Sequence, residues 1–276
     1  MQDKEIKINE LRQEIDHIDS QIIKLINLRT EVVLKISKNK GSGPAIRSGR
    51  EAEVLRKVLS NAPSNFPKKA LIRIWRELVS AYSQMQSSYS VGLCAPNHSV
   101  GYWDVARDYF GSASKIDLFK SSKVLLQKIS LDPSFVGIFP HPANDYSSDW
   151  WKNIGIGSNN RTNIIARLPY EGKSNSQFEE LEAMAVSSFP AEFSGRDRSW
   201  VIFEFNEKKS KDLLIDIVNM MGISGNLLSQ IDQGENIFLY LIDVEGFFES
   251  GTSRFKKFLN KEENLVSVRS IGSYAV

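Results

Sequence analysis

The sequence predicts three units in a row: an all-α segment over residues 1–88, an α/β segment over 89–196, and a ferredoxin-like α+β segment with the order βαββαβ over 197–276. Three observations carry this reading. Apolar residues recur at helical spacing through the first 87 residues, short strand-like runs alternate with helical ones from Tyr89 onward, and the final segment reads strand, helix, strand, strand, helix, strand. A chain of 276 residues suits two or three domains of roughly 100–200 residues each.

The first helix is read from Asp3 to Asn39. Ile8, Leu11, Ile15, Ile18, Ile22 and Leu25 are spaced 3-4-3-4-3, the seam of a helix that packs on another helix along its length. At 1.5 Å per residue this helix is about 54 Å long, more than one side of a small domain covers, so a partner chain is expected. Gly41-Ser42-Gly43-Pro44 is expected to end it, because Gly accepts the turn and Pro restricts the residue before it. A second helix is predicted over Ser48–Ser60. Pro67 opens a third that runs to about Ser87, with Leu71, Trp75, Leu78 and Tyr82 on one face.

In the middle segment the strands are placed at Ser90–Cys94, Lys115–Phe119, Val136–Phe139, Asn163–Leu168 and Ala183–Ser187, and the helices at Val100–Phe110 and Ser121–Ile129. Tyr146–Asn160 reads as a loop or short helix, and Trp150-Trp151 within it as an aromatic pair that closes a core. The last segment gives strands at Trp200–Phe205, Asn226–Gln233, Asn236–Val244 and Leu265–Ile271, with helices at Ser210–Met221 and Thr252–Leu259. Gln233-Gly234 is the hairpin turn between the middle strands. Arg196-Asp197-Arg198 reads as a solvated linker, and Met220-Met221 as core.

Composition excludes several classes of function. Lys+Arg 35 against Asp+Glu 33 gives a formal net charge of +2, too small to argue for nucleic acid or an anionic membrane. No apolar run reaches the roughly 18 residues of a membrane span. The three histidines, His17, His98 and His141, lack the spacing of a zinc site, and neither metal nor cofactor is expected. A single cysteine and a polar, charged stretch over Met1–Glu14 point to a cytoplasmic chain. The charge is unevenly spread: residues 1–87 hold 16 Lys+Arg and 10 Asp+Glu, the remainder 19 and 23. The helical segment is therefore cationic and the rest acidic.

The polar residues that interrupt the apolar faces carry the chemistry. Continuing the first seam beyond Leu25 brings Arg29, Val32, Ile36 and Lys40 into line, so two cations occupy core positions. They lie about 20° from a common azimuth and about 16 Å apart along the axis, a spacing that two long side chains close around a small anion. Arg12 lies elsewhere around this helix, where an antiparallel partner chain would bring it to the site. Glu51 shares a face with Leu55 and Val58 on the second helix, and Gln86 continues the stripe of the third. Any one of these alone would be a snorkelling or paired side chain. As a set, unpaired on apolar faces, each would cost several kcal/mol, so they converge on one another or on a ligand. Cations with one carboxylate and one amide suit a small dianion that carries a hydroxyl and an ether or carbonyl oxygen.

These residues carry a resemblance. Leu11-Arg12-Gln13-Glu14-Ile15-Asp16 through Asp19, then Leu28-Arg29, Lys38-Asn39-Lys40, Arg50-Glu51 and Gln86 resemble the all-helical (AroQ-type) chorismate mutases over residues 5–87. The resemblance implies an intertwined helical homodimer that rearranges chorismate to prephenate without a cofactor or covalent intermediate. It assigns Arg29 and a partner chain's Arg12 to the substrate carboxylates, Lys40 and Gln86 to the ether oxygen, and Glu51 to the ring hydroxyl, with Arg50 close by. A pericyclic step needs no acid, base or nucleophile, only a held reactive conformer and stabilised charge on the breaking C–O bond. Two positions depart from the pattern: Arg47 stands where many members have a carboxylate, and Tyr82 where they often have a small Ser.

The order of the remaining segments resembles bifunctional chorismate mutase/prephenate dehydratase with a final ACT regulatory domain. The resemblance is local: Val91-Gly92-Leu93-Cys94-Ala95-Pro96 matches the opening loop and Ser267 through Tyr274 the ACT end. The dehydratase motifs are replaced by Asn97-His98-Ser99, by Pro140-His141-Pro142-Ala143-Asn144 and by Leu181-Glu182-Ala183. The amino-acid-binding motifs are replaced by Lys211-Asp212-Leu213-Leu214 and Ser229-Gln230-Ile231-Asp232. The expectation is a chorismate mutase with a degenerate dehydratase-like domain over 89–196 and an ACT-like domain over 197–276. The alternatives are an isochorismate pyruvate lyase, a bifunctional enzyme, and a non-catalytic metabolite-binding regulator.

Overall fold

The computed structural model describes residues 2–39, 46–95, 99–143, 149–155, 162–172, 180–249, 255, 259 and 262–276. Three helices come first: α1 (Gln2–Asn39), α2 (Ser48–Ser60) and α3 (Lys68–Gln86). α1 is unbroken because no Gly or Pro enters it, as its 3-4 spacing predicts. The expected Gly-Ser-Gly-Pro stop lies outside the described residues.

The middle segment supplies β1 (Ser90–Leu93), α4 (Ser99–Phe110), β2 (Ile116–Leu118), α5 (Ser122–Leu131), β3 (Phe135–Pro140), β4 (Asn163–Leu168) and β5 (Ala183–Ser187). β1 pairs in parallel with both β2 and β3, and the connections run through α4 and α5. All six residues of β3 are buried, as an apolar run without alternation requires when both faces of a sheet are covered. Ser121 caps α5 by accepting from the Val124 amide. A single 3₁₀ turn, Trp150–Asn153, interrupts the stretch read as a loop or short helix, and both tryptophans close a core. Trp150 stacks on Phe139 with centroids 4.6 Å apart.

The last segment supplies β6 (Asp197–Phe205), α6 (Lys211–Met220), β7 (Gly225–Asp232), β8 (Phe238–Glu245) and β9 (Leu265–Ala275). Its strand order β9-β6-β8-β7, antiparallel throughout, is the split βαβ arrangement read from the sequence. The β7–β8 turn is longer than the two residues expected: Gly234, Glu235 and Asn236 all have positive φ, and the Gln233 amide donates to the Ile237 carbonyl at 2.9 Å. Of the helix expected at Thr252–Leu259 only Phe255 and Leu259 lie within the described residues; Phe255 is buried against Phe203 and Phe248.

The two halves share one nine-stranded sheet, ordered β2-β1-β3-β5-β4-β9-β6-β8-β7. The join is a single parallel pairing of Ile164 with Gly272. Gly272 has φ +134°, and a Cβ there would lie 2.3 Å from the Ile164 carbonyl oxygen. Only glycine lets the two strands approach so closely.

Two expectations are corrected. Arg196-Asp197-Arg198 is no solvated linker: Asp197 is buried, accepts from the Ser194 hydroxyl at 2.7 Å and from the Gly195 amide at 3.0 Å, and opens β6. Arg198 donates to Asp243 at 2.8 Å across to β8. Of Met220-Met221, Met221 is buried but Met220 is 70% exposed, because successive residues at a helix end point to different sides.

Candidate functional site

The candidate residues fall into two groups in the single chain. The first lies on the seam between α1 and α3. Arg29 is half-buried and stacks on the Tyr82 ring, with its guanidinium carbon 4.6 Å from the ring centroid. Tyr82 is buried and donates to the Ile26 carbonyl at 3.1 Å, so it forms the shelf under the arginine. Gln86 is half-buried at the end of α3, and its carbonyl accepts from the Ser37 hydroxyl at 3.3 Å. Val33 is the buried contact of α1.

The second group sits where α2, α3 and α4 meet. Glu51 is buried and accepts from Arg76 Nη1 at 2.8 Å. Arg76, also buried, turns Nε and Nη2 onto the Tyr109 carbonyl at 2.8 and 2.6 Å and lies 3.7 Å from the centre of the Tyr109 ring. Burial works against the guanidinium charge, but Tyr109 and Glu51 outweigh it and raise its pKa. Burial pushes the Tyr109 phenol well above its ordinary value. A cavity of about 350 Å³ opens beside the cluster, lined among others by Arg73, Arg76, Asp108, Tyr109, Tyr170 and Glu171.

The structure does not bring all the predicted residues together. Arg12 is exposed on α1, near Asn9. Arg50 is exposed and pairs with Glu53 at 2.9 Å. Lys40 lies outside the described residues. The α1 seam is open in the single chain: Leu11, Ile15, Ile18, Ile22 and Leu25 are each about half exposed or more.

Sequence reasoning missed the residues that tie the helices to the sheet. Arg56 donates to the Ser194 carbonyl at 2.6 Å, the Ser194 hydroxyl at 2.7 Å and the Arg196 carbonyl at 3.0 Å. Arg47 pairs with Glu192 at 2.8 Å. The missed signal for Arg76 is its spacing to Val79 and Ser80, which places all three on a buried face beside the apolar stripe. Among the described residues no group of His, Cys, Asp and Glu is arranged to hold a metal ion, and no helix is long and apolar enough to cross a membrane.

Chemically, the first group offers a cation on an aromatic shelf beside an apolar seam, which suits a carboxylate on a partly apolar molecule. The second offers an ionic acceptor with a fixed orientation.

The family model described as "Chorismate mutase type II" matches residues 11–87. A bifunctional chorismate mutase/prephenate dehydratase of Aquifex aeolicus is 26% identical over 140 residues, 49% of this chain and 38% of that protein. One from Neisseria gonorrhoeae is 28% identical over 103 residues, 37% and 28% of the two chains. The chain thus spans well under half the length of these relatives. A prephenate dehydratase structure from Arthrobacter aurescens, solved with L-Phe, overlaps with a TM-score of 0.48 at 11% identity, covering 68% of this chain and 90% of that one. The similarity to chorismate mutase type II thus lies in the N-terminal helices, over residues 11–87 of the 276.

Proposed function

We propose that this protein is a chorismate mutase, an isomerase that rearranges chorismate to prephenate in aromatic amino-acid biosynthesis in the cytoplasm. The observation that carries the reading is the family match over residues 11–87, a stretch that contains Arg12, Arg29, Lys40, Arg50-Glu51 and Gln86, the residues the resemblance assigns to the substrate. In this reading residues 1–88 form the mutase domain, 89–196 a dehydratase-like domain without its motifs, and 197–276 an ACT-like domain.

The working form is a homodimer. A second copy lies along the exposed α1 seam, covers apolar residues that stand open in one chain, and brings the partner subunit's Arg12 toward Arg29. Arg29, held on Tyr82, and the partner subunit's Arg12 bind the two carboxylates. Lys40 and Gln86 meet the ether oxygen, where negative charge grows as the C–O bond breaks. Lys40 favours the transition state over the ground state for that reason.

The test gives the full chain chorismate and follows chorismate loss, prephenate and phenylpyruvate. Prephenate alone is the expected product. Lys40→Ala should lower kcat by about 10²–10³, the usual effect of removing a donor from a developing oxyanion. Normal turnover by that variant would overturn the site assignment. Phenylpyruvate would show a working dehydratase, and salicylate from isochorismate would show a lyase.

A further inference from the structure

Resting on the mutase reading, we propose that Arg76 is a positioning residue that holds Glu51 for the ring hydroxyl of the substrate, with the carboxyl end of α4 as its fixed support. The two oxygens of Glu51 are treated differently. Oε2 takes the 2.8 Å bond from Arg76, whereas among the described residues Oε1 receives only a 3.4 Å contact from the Arg47 amide, a length at which a hydrogen bond is weak. One oxygen is thus committed to orientation, and the other keeps its capacity for a stronger donor.

Arg76 is itself fixed from three sides. Nη1 serves Glu51, Nε and Nη2 share the Tyr109 carbonyl, and the guanidinium plane rests on the Tyr109 ring. That carbonyl belongs to the last turn of α4, where carbonyls lack helical donors and the helix dipole favours a cation. The same helix end is held to α3 by the Ser80 hydroxyl, which donates to the Phe110 carbonyl, and by the Ser112 amide, which donates to Glu77 at 2.8 Å. The α/β segment is therefore part of the mutase site, supporting a carboxylate it does not itself supply. A planar fork of donors can meet both acceptors at once; a lysine ammonium at this position has a single nitrogen for the two.

A purely structural ion pair would lower stability without a specific effect on substrate binding, so kinetics separate the two roles. Steady-state turnover of chorismate is measured on the full chain for wild type, Arg76→Met, Arg76→Lys, Glu51→Gln and the Arg76→Met/Glu51→Gln double variant, with thermal unfolding alongside. Arg76→Met should raise KM about tenfold with kcat held within about threefold, because the hydroxyl contact is made equally in ground and transition states. The double variant should match Glu51→Gln within about twofold, since Arg76 acts only through that carboxylate. Arg76→Lys should raise KM only about two- to threefold by keeping one bond to Glu51. If the Met variant does not fold, Lys carries the test, and its effect must vanish in the Glu51→Gln background. An unchanged or lowered KM, or effects that multiply in the double variant, overturns the inference and leaves the mutase reading standing. Absence of turnover by wild type overturns both.

Discussion

His141 shows how one residue couples burial to pH. It is buried at the end of β3, edge-on to Trp200 with centroids 5.2 Å apart, and its Nδ1 accepts from the Ala143 amide at 3.1 Å. Both contacts suit a neutral ring. Burial, helped by Arg167 and opposed by Glu182, pushes its pKa down to about 4. Unfolding returns the ring to an ordinary value near 6.5, so the unfolded chain binds the extra proton between these limits. The stability this residue contributes is full above pH 6.5 and is lost as pH falls toward 4. We expect denaturant unfolding to show about 2 kcal/mol less sensitivity between pH 7 and 4.5 in His141→Gln than in wild type. Equal pH sensitivity of the two proteins would mean the ring protonates freely in the native state. The sequence marks His141 as a residue without metal-site spacing and as part of the Pro140-to-Asn144 stretch; its burial depends on β3 meeting β5 and on Trp200 arriving from a strand 59 positions later.

At the scale of elements, α1 was legible and its environment was not. Its period, its length and the absence of a breaker are local properties of the sequence, and the helix runs from Gln2 to Asn39 with a boundary one residue from that expected. The fate of its apolar seam is not local. Among the described residues, the Tyr82 hydroxyl, the Arg29 stack and the Ser37 bond join α1 to α3 between Ile26 and Ser37, where Val33 is buried. Ile15 and Ile18, at 56% and 47% exposure, lie beyond that reach. On the proposed mutase dimer, Ile15→Asp/Ile18→Asp should therefore leave the fold of residues 89–276 intact, convert the dimer to a monomer in sedimentation, and abolish turnover with it, because a monomer lacks the second arginine. A dimer of normal activity would show that the seam is not the subunit contact. The site was legible to the same degree. Arg29 and Gln86 stand on the faces their spacing gives them, whereas the cation that holds Glu51, Arg76, comes from α3, 25 positions away, and is itself anchored on the Tyr109 carbonyl of α4.

At the scale of the whole molecule, the sheet is continuous across two segments that read separately in sequence. Its continuity hangs on Gly272, whose Cβ would meet the Ile164 oxygen, nitrogen and Cα at 2.3–2.8 Å, all backbone atoms that cannot swing aside. Gly272→Ala should cost about 2–3 kcal/mol in denaturant unfolding, from strain at positive φ added to the clash. Wild-type stability of this variant would show that the two half-sheets are held elsewhere. α2 and the residue before it make a second tie, because Arg56 and Arg47 reach the segment around Glu192, Ser194 and Arg196. The uneven charge seen along the chain fits this arrangement: some of the excess cations in the helical part are spent on the acidic and carbonyl groups of the part that follows.

What the sequence determined by itself was the identity of each described element, the βαββ order of the last segment, and the cationic residues on the helical faces. These follow from periodicity and steric limits that act within a few residues of chain. Tertiary structure decided that Tyr82 is a shelf for Arg29, that Arg47 and Arg56 serve the sheet, and that Glu51 is held by Arg76 against the end of α4. Such roles depend on desolvation and on which acceptor a long cation reaches, and both are set by groups distant in sequence that only packing brings within 3 Å.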